Sequence, residues 1–156
     1  MIKTLGRIMK PKILRFGMNI WPPFLGAGIR VKHIASDYRE IIVSMKLRWY
    51  NRNYVGTHFG GSLAAMTDPF YMLMLIHILG KNYTVWDKTS TIDYLAPGRG
   101  TVTACFTLQD DEIAEIKNKT ANGNPYFPEF SVDIVNESGE VIARVDKTIY
   151  IRMKEG

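Results

Sequence analysis

The sequence predicts an α+β domain in which an antiparallel, six-stranded curved sheet wraps around one long central helix. Three observations carry that prediction. Residues 62–79 form a helical run that is apolar nearly all round, so other elements must enclose it. Six further segments alternate apolar and polar residues with a period of two, as strands with one buried face do. Their order is β-β-α-β-β-(α)-β-β, with the apolar helix in the first half of the chain.

Residues 1–24 read as a basic amphipathic arm ahead of one domain over 25–156. Leu5, Met9, Ile13 and Phe16 recur at helical spacing with Lys and Arg between them, and Pro11 predicts a break in that helix. Trp21-Pro22-Pro23-Phe24 reads as an extended exit. The arm's apolar face is short and interrupted, which favours packing on the domain or on a second subunit over contact with a membrane. A strand is expected over 28–34, then a turn at Ser36-Asp37, then a strand with Ile41, Val43, Met45 and Leu47 on one face. Gly60-Gly61 precede the apolar helix and Gly80 closes it. Strands over 83–95 and 101–108 flank Ala96-Pro97-Gly98-Arg99-Gly100, and Val102, Ala104, Phe106 and Leu108 share the inner face. Asp110-Asp111-Glu112 ahead of later lysines suits a polar helix within 110–124. The last strands, about 127–135 and 141–152, meet at the hairpin turn Asn136-Glu137-Ser138-Gly139.

Composition narrows the function classes. The chain has 156 residues, 46% hydrophobic and 22% charged, which fits one ordinary core. Cys105 is the single cysteine, so an internal disulfide and a Cys-rich zinc module are excluded and the cytoplasm is the expected compartment. The apolar run 69–79 is interrupted by His77 and shorter than the ~20 residues of a membrane helix. The net charge is +5, yet residues 1–36 hold seven Lys or Arg and no acid before Asp37. The basicity (pI 9.3) is thus a property of the arm. A nucleic-acid binder spreads basic residues over a docking face, so no nucleic-acid partner is expected, the basic arm being the only place for one.

No phosphate loop, nucleophile elbow or paired-histidine zinc motif is present, and His33, His58 and His77 are too scattered to hold a metal. One segment stands out: Asn53-Tyr54-Val55-Gly56-Thr57-His58-Phe59-Gly60-Gly61-Ser62, leading on to Asp68. Glycines directly before a helix leave its first N–H groups open, and an oxyanion forming on a carbonyl would be stabilised there. Asp68, set in apolar sequence, could be a carboxylate of raised pKa that activates water, and Asn53 a neutral group that orients substrate. The plainer alternative makes Asp68 the N-cap of a helix that begins at Pro69.

This segment resembles the signature of hotdog-fold acyl-CoA thioesterases of the phenylacetate-pathway type. Asn53, Gly56-Thr57, Gly60-Gly61 and Asp68 fit it without a gap. More widely, residues 21–31, Asn53 to Pro69 and Val85-Trp86-Asp87-Lys88 resemble an uncharacterised bacterial branch of that superfamily. The resemblance implies a hotdog fold and a thioester hydrolase with no cofactor, its substrate an ester of coenzyme A. Asp68 would be the general base or nucleophile, the N–H of Gly60 or Gly61 the oxyanion donor, and Asn53 a holder of the reacting group. Thr57, His58, Phe59, Met72 and Lys88 would lie along the substrate; on its strand Lys88 could also pair with Asp68, though a solvent-facing lysine is the simpler reading. A homodimer or dimer of dimers is implied, in which Asn53 and Gly60 of one subunit meet Asp68 of the other. The family's His before the glycine pair is Phe59 here. The rival readings are a non-catalytic acyl-CoA or acyl-carrier binding module and a dehydratase using His58.

Overall fold

The structure, a computed structural model, describes residues 9–154. The strands are β1 (Ile29–Ile34), β2 (Glu40–Lys46), β3 (Tyr83–Tyr94), β4 (Thr101–Thr107), β5 (Glu129–Asn136) and β6 (Val141–Met153). They form one antiparallel sheet in the order β1-β2-β4-β5-β6-β3. The helices are α1 (Pro11–Ile20), α2 (Pro22–Ala27), α3 (Gly60–Ala65), α4 (Phe70–Leu79) and α5 (Asp110–Thr120). Together α3 and α4 make the central rod, and the sheet curls around it as the hotdog arrangement requires. The expected element order holds throughout.

Alternation decides which side chains enter the core. Ile41, Val43 and Met45 from β2 and Val102, Ala104 and Phe106 from β4 are fully buried, while Cys105 on the opposite face is exposed. The rod supplies Met66, Phe70, Met74 and Leu75, none with exposed surface. Phe70 packs on Phe106 at 5.0 Å, and Tyr71 stacks on Phe130 at 4.8 Å. Burial pushes the Tyr71 phenol well above its usual value, and its hydroxyl donates to Ser131 O (2.9 Å). By length and composition the 60–79 rod could cross a membrane, which the interrupted 69–79 run did not suggest. Half of it is buried inside the domain, so here it is a core helix.

The arm differs from expectation. Pro11 does not break α1 but starts it, and Pro22 starts α2 instead of extending the chain. Proline at the first helical position gives up only an N–H that would have had no helical partner. The part of the arm with Lys3, Leu5 and Arg7 lies outside the described residues. Gly28, at φ 76°, ends α2 and turns the chain into β1. Leu14 and Met18 pack on the core, and Asn19 brackets the outer edge of β1, its Nδ2 donating to Val31 O (3.1 Å) and its Oδ1 accepting from Val31 N (2.8 Å). One sheet edge is thereby capped. At the other end β3, twelve residues long, pairs only with β6 among the described residues.

Candidate functional site

The chemistry-bearing residues fall into two groups along the rod. The first is the loop leading into α3. Asn53 organises this loop: Oδ1 accepts from Val55 N (3.1 Å) and Thr57 N (3.0 Å), while Nδ2 donates to Thr57 Oγ1 (2.8 Å) and His58 O (3.2 Å). Both ends of its amide are engaged within its own loop. His58 then clasps the loop to the turn after β3. Its backbone N–H donates to Gly98 O (2.9 Å), and Nε2 lies 3.1 Å from Gly100 O. A carbonyl only accepts, so Nε2 carries the proton and Nδ1 is left bare, buried and without a partner among the described residues.

These two walls enclose an open concavity of about 510 Å³ lined by Asn53, Thr57, His58, Gly60, Tyr94 and Arg99 among others. That volume suits a small organic ligand. Arg99 is its one charged lining residue, which favours an anionic group. The helix α3 begins without a side-chain cap, and its first residue, Gly60, lines the concavity. A Cβ on Gly60 would come 2.9 Å from the Tyr94 hydroxyl, so a larger residue here would have to displace that exposed ring. A Cβ on Gly61 would meet the Phe59 ring at 2.5 Å; that ring is exposed and lies outside the concavity.

Burial holds the His58 pKa below its usual value. The unfolded chain therefore takes up this proton first, near pH 6.5, and stability falls as pH drops below it. Thermal melts at pH 7.5 and 5.5 should show a loss in the wild type that His58→Gln reduces.

The second group centres on the rod's interruption. Pro69 has no N–H to give, and Asp68 N bonds back only three residues, to Ala65 O (3.3 Å). The Asp68 side chain makes no capping bond to α4, so the plain N-cap reading fails. Nor is this carboxylate enclosed: it is 71% exposed in the single chain, contrary to the buried acid expected. Beneath it lies Lys147 of β6, whose side chain has no exposed surface. Its Nζ sits 3.7 Å from Asp68 Oδ1 and 3.1 Å from Asp87 Oδ1, and donates to Asp68 O. Asp87, on β3, has a raised pKa because burial outweighs the lowering by Lys147. Lys88 does not pair with Asp68; its ammonium lies over the Phe127 ring at 4.1 Å. Met72 is half-buried on α4, outside the concavity.

Asp68 stands eight residues from Gly60, about 12 Å along a helix. Within one chain, then, the concavity and the carboxylate do not meet. No group of acids, histidines or cysteine able to hold a metal occurs among the described residues.

Residues 10–151 match the family described as a domain of unknown function, DUF4442. The chain belongs to that family. No curated protein matches this DUF4442 chain. Among solved structures, it is similar to a Pseudomonas aeruginosa protein of unknown function named as a probable thioesterase. Identity there is 15% and TM-score 0.80, covering 92% of this chain and 95% of that one. A Haemophilus influenzae thioesterase aligns at 16% identity and TM-score 0.69, over 95% and 94% of the two chains. A Chlorobaculum tepidum protein of unknown function gives 16% and 0.73, over 92% and 94%. At such identities the likeness is one of fold, and it makes the DUF4442 domain a hotdog.

Two members of the second group were missed in the sequence, and one had a signal. In β6 the inward phase reads Ala143, Val145, Lys147, Ile149, Ile151. A lysine on the buried phase of a strand demands a buried anion or carbonyl. The pairing to Asp87 depends on β3 lying beside β6, which local pattern does not reveal.

Proposed function

We propose that this DUF4442 protein hydrolyses coenzyme A thioesters in the cytoplasm, as a homodimer that shares its active sites. The observation that carries the reading is Asp68. An exposed carboxylate is fixed at a helix break by a buried lysine, beside the sheet's open edge strand, in a fold shared with thioesterases. Edge strands invite pairing, and β1 is capped by Asn19, whereas among the described residues β3 pairs with β6 alone. Self-association across β3 would cover Asp68 and carry it toward the concavity of the second copy, whose wall includes Tyr94 from that same strand.

In the assembled site the thioester carbonyl faces the N–H of Gly60 or Gly61, and Asp68 attacks it or activates water. Arg99 takes an anionic part of the thiol carrier. The acyl chain runs beside the rod near Met72. The test is thiol release from a panel of acyl-CoAs by the intact protein, with its mass measured in solution. Turnover by a dimer is expected. A melting temperature raised by acyl-CoA with no thiol released would instead establish the binding-module alternative.

A further inference from the structure

We propose that the face formed by α1, α2 and the outer side of β1 and β2 docks on an anionic phospholipid surface. The arm was expected to pack its apolar stripe on the domain or on a second subunit, and only part of the stripe meets the domain. Leu14 and Met18 turn inward, but Ile13, Phe16 and Ile20 are 57%, 65% and 55% exposed. Their spacing of three and four residues puts them on one side of α1. Trp21 and Leu25 extend the exposed patch into α2. Lys10 and Lys12 flank the stripe on either side, an order of charge and aromatic or aliphatic groups that suits the headgroup boundary of a membrane.

The neighbouring sheet surface is basic as well. Arg30, Lys32, Lys46 and Arg48 line a concavity of about 270 Å³ on its outer side. Arg30 joins the two surfaces, donating from NH1 to Asn19 O at the end of α1 (2.9 Å), and Arg15 donates to Lys32 O (3.0 Å). No carboxylate pairs with any of these seven cations among the described residues. The acid at the far end of β2, Glu40, faces His33 at 3.8 Å.

Charge decides the occupant. A second copy covering this patch about a twofold axis would set the same cations against themselves, a repulsive contact. Phosphate headgroups over an acyl interior complement both halves of the face. The face also lies at the β1 end of the sheet, away from the open β3 edge, so docking and dimerisation do not compete.

The experiment is co-sedimentation of the intact protein with vesicles of phosphatidylcholine alone and of phosphatidylcholine mixed with phosphatidylglycerol. Binding is expected to the anionic vesicles, reversed by high salt. Phe16→Asp/Ile20→Asp should lower the bound fraction about tenfold with an unchanged circular dichroism spectrum, both side chains being exposed already. Lys12→Glu/Lys32→Glu should do the same. Protein left in the supernatant with anionic vesicles, equal binding to neutral ones, or full binding by the Asp variant would overturn the proposal. So would a drop in solution mass caused by Phe16→Asp, which would assign the stripe to a second copy.

Discussion

Asp68→Asn should reduce thioester turnover about a hundredfold or more, acting on kcat and leaving KM and the melting temperature nearly unchanged. The substitution preserves shape and removes only the capacity to attack or to accept a proton. Stability is spared because the carboxylate is 71% exposed and its one ion pair among the described residues spans 3.7 Å; such contacts contribute under about 1 kcal/mol. Equal rates in variant and wild type would reject Asp68 as the acting group. A shared site makes a second demand. Asn53→Ala should also be inactive, because it frees Thr57 and the backbone around Val55 and His58 from the loop that shapes the other half. Mixed under subunit exchange, the two inactive variants should recover about a quarter of wild-type activity. Half the dimers are then mixed, and each has one of its two sites intact. No recovery would place both groups of one site in the same chain.

The parts legible in the sequence were those set by local pattern. Period-two alternation gave every strand to within a few residues, and the turns at Ser36-Asp37 and Asn136 to Gly139 fell where short polar residues and glycine put them. The apolar rod was legible for the same reason, since a helix without a polar face has one place to go. Prolines were read too simply. Pro11 and Pro22 served as helix starters because each follows an extended residue, Lys10 and Trp21, with ψ of 137° and 127°. In the loop before the rod, spacing found Asn53, Thr57, His58 and Gly60 and the structure puts them round one concavity. It could not show that Asn53 bonds only its neighbours, which depends on how the loop closes. Spacing found Asp68 as well but supplied the wrong surroundings. Its environment is made by β6 and β3, which reach it from 79 and 19 residues away along the chain.

Lys147→Met should destabilise the fold by about 2–3 kcal/mol at neutral pH, lowering the melting temperature by roughly 5–10 °C. Methionine keeps the apolar stem among Val145 and Ile149 but leaves Asp68 O without this donor and Asp87 without its cation. The estimate sits at or below the usual range for breaking a buried pair because both carboxylates keep some contact with water. Its pH dependence follows from Asp87. Burial already raises this pKa and Lys147 opposes the rise, so removing the lysine raises it further. An acid whose folded pKa lies above its unfolded value costs stability as pH rises, since the unfolded chain ionises first. The loss in Lys147→Met should therefore be smaller at pH 5 than at pH 7.5. Lys147→Met/Asp87→Asn should recover much of it, as replacing both partners of a buried pair often does. A double variant no more stable than Lys147→Met would show that the lysine acts by packing alone. Activity separates the remaining role: at a temperature where the double variant is fully folded, its kcat should still fall. A neutral pair can restore the electrostatic balance under the rod, whereas it cannot supply the Nζ that holds the Asp68 backbone at the helix break.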